Sequence, residues 1–215
     1  MMTIAVLLMV AVHVYGQKMR TVSYIDHYWD EETKTLVPQI KERAVEVRYA
    51  NSSLKYTYND PVLGVEGEEK WYLLDDNIFS IFYLREMEIR GKVHVIVKDG
   101  IGWRVKGGIN LAGDSELHIY AQSDGGNQGI VKITSWAGRP GIGNYHRGKN
   151  GDLYIHGCDI EITGSNDGGA GIGSGAADDL HLGLLDYYHL GKVYVYGGTL
   201  KVHGGKRHDE LMATF

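Results

Sequence analysis

"GGAGIGSG", Gly168–Gly175, sets five glycines around a single isoleucine, Ile172. Such a loop either cradles a phosphate or turns a backbone that repeats itself. A dinucleotide fingerprint needs G-x-G-x-x-G between a hydrophobic strand and a helix, with an acidic residue beyond. The nearest match is Gly171, Gly173 and Ala176. A polar turn, Ser165–Gly169, precedes it, and "AADDLHLGLLDYY" (176–188) follows without a clean helical stripe. A P-loop ends in Gly-Lys-Ser/Thr. The Gly-Lys pairs at Gly91, Gly148 and Gly191 run on into Val93, Asn150 and Val193. The nucleotide reading therefore fails on context.

The repeat reading succeeds. "VHVI" (93–96), "LHIY" (117–120), "LYIH" (153–156) and "VYVY" (193–196) share one alternation. Each is followed by a second strand: "WRVK" (103–106), "VKIT" (131–134), "IEIT" (160–163) and "LKVH" (200–203). A glycine corner comes third: "GGIN" (107–110), "RPGIGN" (139–144) and "GGAGIGSG" itself. Strand, turn, strand and glycine corner, repeated, predicts stacked coils that bury their apolar residues only against one another. Glycine allows positive φ at such corners, and Ile142 and Ile172 are expected to point inward there. The predicted fold is all-β: a right-handed parallel β-solenoid (β-helix) over 86–205, with a small β-rich section or cap over 17–85 and a charged tail over 206–215. Within the cap, "TVSYID" (21–26) and "AVEVRYA" (44–50) read as short strands around a turn in "WDEETKTL" (29–36).

The stretch from Ile89 to Tyr145 resembles a glycine-rich repeat region with "AGIGGG" corners, found in secreted and surface proteins of gut Firmicutes and Bacteroidetes, and the similarity covers roughly Trp71 to Gly205. The matching positions are Asp99-Gly100, Gly108-Ile109, Leu117, Ile119-Tyr120, Gln122 and Gly169–Gly175. Gly141-Ile142-Gly143 lacks the full corner, and "DLHLGLLDYYHLG" (179–191) replaces a short link. Proteins of this type are often labelled carbohydrate-binding or adhesin-like, and the resemblance implies that role only as an expectation.

Composition narrows the function. The 215 residues include 30 glycines but 3 prolines, a balance of tight turns rather than collagen or disorder. A net charge of −5 with mixed signs supplies no basic stripe for nucleic acid. One cysteine, Cys158, excludes an intrachain disulfide framework and a cysteine-rich zinc site. No metal and no cofactor is expected. "TIAVLLMVAVHV" (3–14) has the length of a signal-peptide core, too short for a comfortable membrane span. Val14 and Gly16 suit cleavage before Gln17. The chain is therefore expected to be secreted or displayed at the cell surface, without a transmembrane segment once 1–16 is removed. Asn51-Ser52-Ser53 is a formal glycosylation sequon, and "HDEL" (208–211) is not C-terminal.

Alternation puts Val93, Val95, Leu117, Ile119, Leu153, Ile155, Val193 and Val195 inside. It leaves two outward columns on the first sheet: His94, His118, Tyr154, Tyr194, and Ile96, Tyr120, His156, Tyr196. Sugars stack on flat rings, and tyrosine adds a hydroxyl. His118, Tyr120, Tyr154, His156, Tyr194 and Tyr196 are the candidate carbohydrate-binding residues, with a polysaccharide or cell-surface glycan as partner. The same rings can instead serve as cross-strand pairs, or lie covered by 18–85 or by the 176–191 insert. On the second sheet, Arg104, Lys132, Glu161 and Lys201 read as a solvated face. Catalysis has little support. Asp178 and Asp179 would face opposite sides of a strand, Asp124 and Asp167 sit in polar turns, and no nucleophile–base pair can be placed. The first expectation is a non-catalytic binding module. A β-helix polysaccharide lyase or hydrolase, or a structural spacer, are the alternatives.

Overall fold

The computed structural model describes residues 19–48, 62–75, 78–81, 86–144, 149–175 and 191–205. The signal-peptide reading, the sequon, Asp178-Asp179, most of the 176–191 insert and the charged tail lie outside them. The described residues form fifteen strands and no helix, an all-β arrangement.

Strands β1 (Met19–Asp30) and β2 (Thr35–Arg48) form one long antiparallel hairpin. Its turn is closed by the Asp30 carboxylate, which accepts hydrogen bonds from the Glu32 and Thr33 amides at 2.9 and 3.4 Å. The two strands run well past the short segments expected from alternation, because each holds the other in register from Met19↔Glu46 to Asp30↔Thr35. β3 (Val62–Leu74) pairs parallel with the end of β2 and with β5 (Met87–Val97) along most of its length, with a bulge between Gly64 and Glu69.

Beyond β5 all strand pairing is parallel and falls into three ladders. The first stacks β5, β8 (Glu116–Ala121), β11 (Asp152–Ile155) and β14 (Val193–Val195). The second is a five-stranded sheet of β4 (Ile78–Ile81), β6 (Gly102–Lys106), β9 (Ile130–Thr134), β12 (Asp159–Thr163) and β15 (Thr199–His203). The third starts on the first residues of β5 and stacks β7 (Ile109–Asn110), β10 (Ile142–Asn144) and β13 (Ile172–Ser174). From β5 onward the chain visits the first, second and third ladders in turn. The first and third ladders, with the hairpin and β3, make a ten-stranded mixed sheet.

The register is the one that alternation calls for. Val93, Leu117, Leu153 and Val193 align, as do Val95, Ile119, Ile155 and Val195. The β5, β8 and β11 members of these rows, with Trp103, Val131, Ile133, Ile160 and Ile162 from the second ladder, fill a continuous apolar core. Ile142 lies between Ile109 and Ile172 and is fully buried, and Ile172 is partly buried against the same core. Gly143 sits at φ +144°, and a Cβ there would lie 1.7 Å from the Gly173 carbonyl oxygen. Only glycine lets the two corners stack this closely.

One expectation about the core is corrected. Val193 and Val195 occupy the inward register yet are 43% and 48% exposed. Among the described residues no strand stacks on the far side of β14, so these valines cover their neighbours without being covered. On the second ladder, Arg104, Lys132, Glu161 and Lys201 align as one column. Lys132 and Glu161 pair at 2.8 Å with both side chains near half exposure, a contact worth little.

Candidate functional site

Parallel in-register stacking repeats each outward position one strand spacing away, so aromatic residues at one position must lie ring on ring. The first outward column does this. The His94 and His118 ring centroids are 4.3 Å apart, His118 and Tyr154 4.1 Å, and Tyr154 and Tyr194 4.7 Å, the last two pairs within 13° of parallel. The second column stacks Tyr120 on His156 at 4.1 Å and His156 on Tyr196 at 4.9 Å. All six candidate residues belong to one ladder of rings.

Trp71 of β3 extends the ladder, stacked on His94 at 3.8 Å and 2°. The signal for it was available in "EKWYLL", whose alternation matches "KVHVIV" once the two are set side by side as Trp71↔His94. Arg43 of β2 covers the outer face of Trp71, its guanidinium 4.3 Å from the ring centroid.

Exposure divides the six. Tyr154, Tyr194 and Tyr196 are partly exposed, whereas His118, Tyr120 and His156 are buried. The expected open platform is therefore corrected over its middle. The β1–β2 hairpin lies across it, and Val22, Tyr24, Val45 and Val47 form a second apolar cluster with Ile96 and Tyr120. Tyr24 meets Tyr120 edge-on at 5.0 Å. This second cluster explains why Ile96, an outward residue, is fully buried.

The hairpin also carries charge onto the rings. Asp26 of β1 lies 3.0 Å from His156 Nδ1, although the N–H does not point squarely at the oxygen. Lys41 of β2 pairs with the same carboxylate at 2.6 Å. His156 Nε2 is 3.3 Å from His118 Nδ1, and His118 Nε2 is 3.1 Å from Glu116 Oε2. Lys92 reaches Glu116 at 3.1 Å. His94 Nδ1 meets the Tyr120 hydroxyl at 3.1 Å. The result is a row, Glu116–His118–His156–Asp26, running beneath the hairpin.

Burial, then the neighbouring His156 and Lys92 charges, brings His118 down to about 4 despite the Glu116 carboxylate. Burial, with His118, Lys92 and Arg43 adding to it, brings His94 down to about 2. Burial works to raise Asp26, but contacts with His156, Lys41 and the His27 amide outweigh it and hold the carboxyl well below its ordinary range. Burial first, then Glu116 and Asp152, pushes the Tyr154 phenol up to about 12, so it stays a neutral donor at ordinary pH.

Among the described residues no cluster of His, Cys, Asp and Glu is arranged to hold a metal ion, and no helix is long and apolar enough to cross a membrane. Asp124 and Asp167 are exposed turn residues. Cys158 is fully buried with its Sγ 3.3 Å from the Tyr120 carbonyl oxygen, and burial raises its thiol pKa. A cavity of about 220 Å³ opens at the far end of the core, lined by Leu111, Ile142, Leu153, Ile172 and Val193 with the adjoining glycines. No family model, no curated protein and no solved structure matches the chain.

Proposed function

We propose that the chain is a secreted or cell-surface, non-catalytic module that binds an extended glycan along the exposed end of its ring ladder. Each circuit of the chain through the three ladders forms one coil of a right-handed parallel β-solenoid in this reading. The resemblance to the glycine-rich repeat region of surface proteins agrees with that reading. One observation carries the proposal: Tyr194 and Tyr196 end the two columns as partly exposed rings 6.3 Å apart and 8° from parallel, next to a partly exposed Tyr154. Such rings suit the apolar faces of consecutive sugars, and neutral phenols offer hydrogen bonds at their edges.

The test is affinity electrophoresis of the full chain in gels containing β-glucan, arabinoxylan or mannan, beside an activity screen on the same polymers. Retardation without cleavage, reduced by Tyr194→Ala, supports the proposal. Cleavage of a polymer favours the β-helix enzyme instead. Burial of His118, Tyr120 and His156 favours a second reading, in which the rings are cross-strand pairs of a spacer. Each such pair is worth about 0.2–1 kcal/mol. On that reading Tyr194→Ala lowers stability and no polymer retards the chain.

A further inference from the structure

The row Glu116–His118–His156–Asp26 makes three nitrogen-centred contacts: carboxylate to ring, ring to ring, and ring to carboxylate. The first two are hydrogen bonds and need one N–H each. The third brings His156 Nδ1 to 3.0 Å from a carboxylate oxygen without square alignment, where an N–H replaces two facing lone pairs. Three protons on the two imidazoles satisfy this arrangement. One ring is then neutral and the other is an imidazolium. With His118 donating Nε2–H to Glu116, its bare Nδ1 accepts from His156 Nε2–H, and His156 Nδ1–H faces Asp26. A fourth proton has only His118 Nδ1 to go to, and there it turns the His118–His156 contact into two donors facing each other at 3.3 Å. Four protons on the four ring nitrogens therefore cannot satisfy the row.

We propose that this row is a proton-operated clamp. It holds the β1–β2 hairpin down over the rings with one shared positive charge, and it releases the hairpin when a second proton enters. Release uncovers Tyr120 and His156 and lengthens the platform that Tyr154 and Tyr194 begin. This last consequence rests on the glycan reading; the clamp does not.

The surroundings decide the sign. Lys92 and His94 face the row from β5, Tyr154 and Asp152 from β11, and Tyr194 and Tyr196 from the β14 segment. Asp26 and His27 face it from β1, Lys41 and Arg43 from β2, and Glu69 from β3. Asp26 and Glu116 neutralise the first proton. Both are already engaged, by Lys41 and Lys92, so a second imidazolium meets cations and a buried site. His118 and His94 are depressed in the closed state, and burial with the His156 charge lowers His27 too. A histidine whose pKa is lower closed than open contributes stability above its open value of about 6.5, and that stability is lost as pH falls toward the closed value. The closing window for His118 therefore runs from about 6.5 down to about 4.

Hydrogen–deuterium exchange of the full chain, corrected for intrinsic rates, tests this. Between pH 7.5 and 5.5, protection of β1 and β2 is expected to fall roughly tenfold, the factor that one proton at His118 supplies. Protection of β9 and β12 is expected to hold. His118→Gln, which keeps a donor and an acceptor but takes no proton, is expected to cut the pH response several-fold, leaving only what His94 and His27 contribute. Unchanged hairpin protection in the wild type, loss in step with β9 and β12, or an undiminished response in His118→Gln overturns the clamp. If His118→Gln does not fold, the wild-type comparison alone decides. In the same buffers, retardation by arabinoxylan or β-glucan gels should be stronger at pH 5.5. An open hairpin without stronger retardation overturns the platform extension, and no retardation at either pH overturns the glycan reading; exchange alone judges the clamp.

Discussion

At the scale of single residues, two positions test the account without reference to ligand. Gly143 combines φ +144° with a corner so close that a Cβ would meet the Gly173 carbonyl oxygen at 1.7 Å. Gly143→Ala is expected to cost about 3 kcal/mol or more, since neither the backbone strain nor the overlap can relax without parting β10 from β13. Urea denaturation reads this directly, and a loss below about 0.5 kcal/mol would mean the corner is not stacked as described. Cys158 is fully buried and its thiol pKa is raised by burial. It is expected to resist thiol-directed reagents in the folded chain at pH 8 and to react at once in denaturant. Rapid labelling of folded protein would place it at the surface.

At the scale of elements, the inward column of the first ladder divides by position along the stack. Ile119 is covered on both sides by β5 and β11, whereas Val195 in the same register is 48% exposed. Ile119→Ala is expected to cost roughly 2–5 kcal/mol and Val195→Ala less than about 1 kcal/mol. Similar costs at both sites, measured by denaturation, would mean that something covers β14. These strands were legible in the sequence because side-chain alternation and glycine corners recur together, so "LHIY" and "LYIH" could be set in parallel register before any coordinates. The hairpin was legible only as strands and a turn. Val22 and Tyr24 announce an apolar face, but alternation does not say what that face packs on. Its partner, Tyr120, lies 96 residues further along the chain than Tyr24. The Asp26–His156 contact was hidden for the same reason, and Trp71, although set before His94 much as His94 is set before His118, was missed because no glycine corner follows "EKWYLL" to mark it as a repeat.

At the scale of the whole molecule, the first column of rings runs from Trp71 to Tyr194 across five strands, and among the described residues its β11 and β14 members, Tyr154 and Tyr194, are partly exposed where His94 and His118 are buried. That asymmetry leaves an open stacking surface at Tyr194 and Tyr196 among the described residues. The column itself could be read from the sequence by counting residues. Which part of it faces solvent could not, because that depends on a hairpin contributed from outside the repeats. The central claim is that this open end binds sugar. The most direct measurement is the affinity of the full chain for the polysaccharide that retards it most, compared with Tyr194→Ala, whose ring is stacked on Tyr154 alone in its column, with thermal unfolding recorded alongside. The account predicts about tenfold weaker binding, roughly 1.4 kcal/mol, at a nearly unchanged melting temperature. Undiminished affinity in a stably folded Tyr194→Ala variant would contradict it.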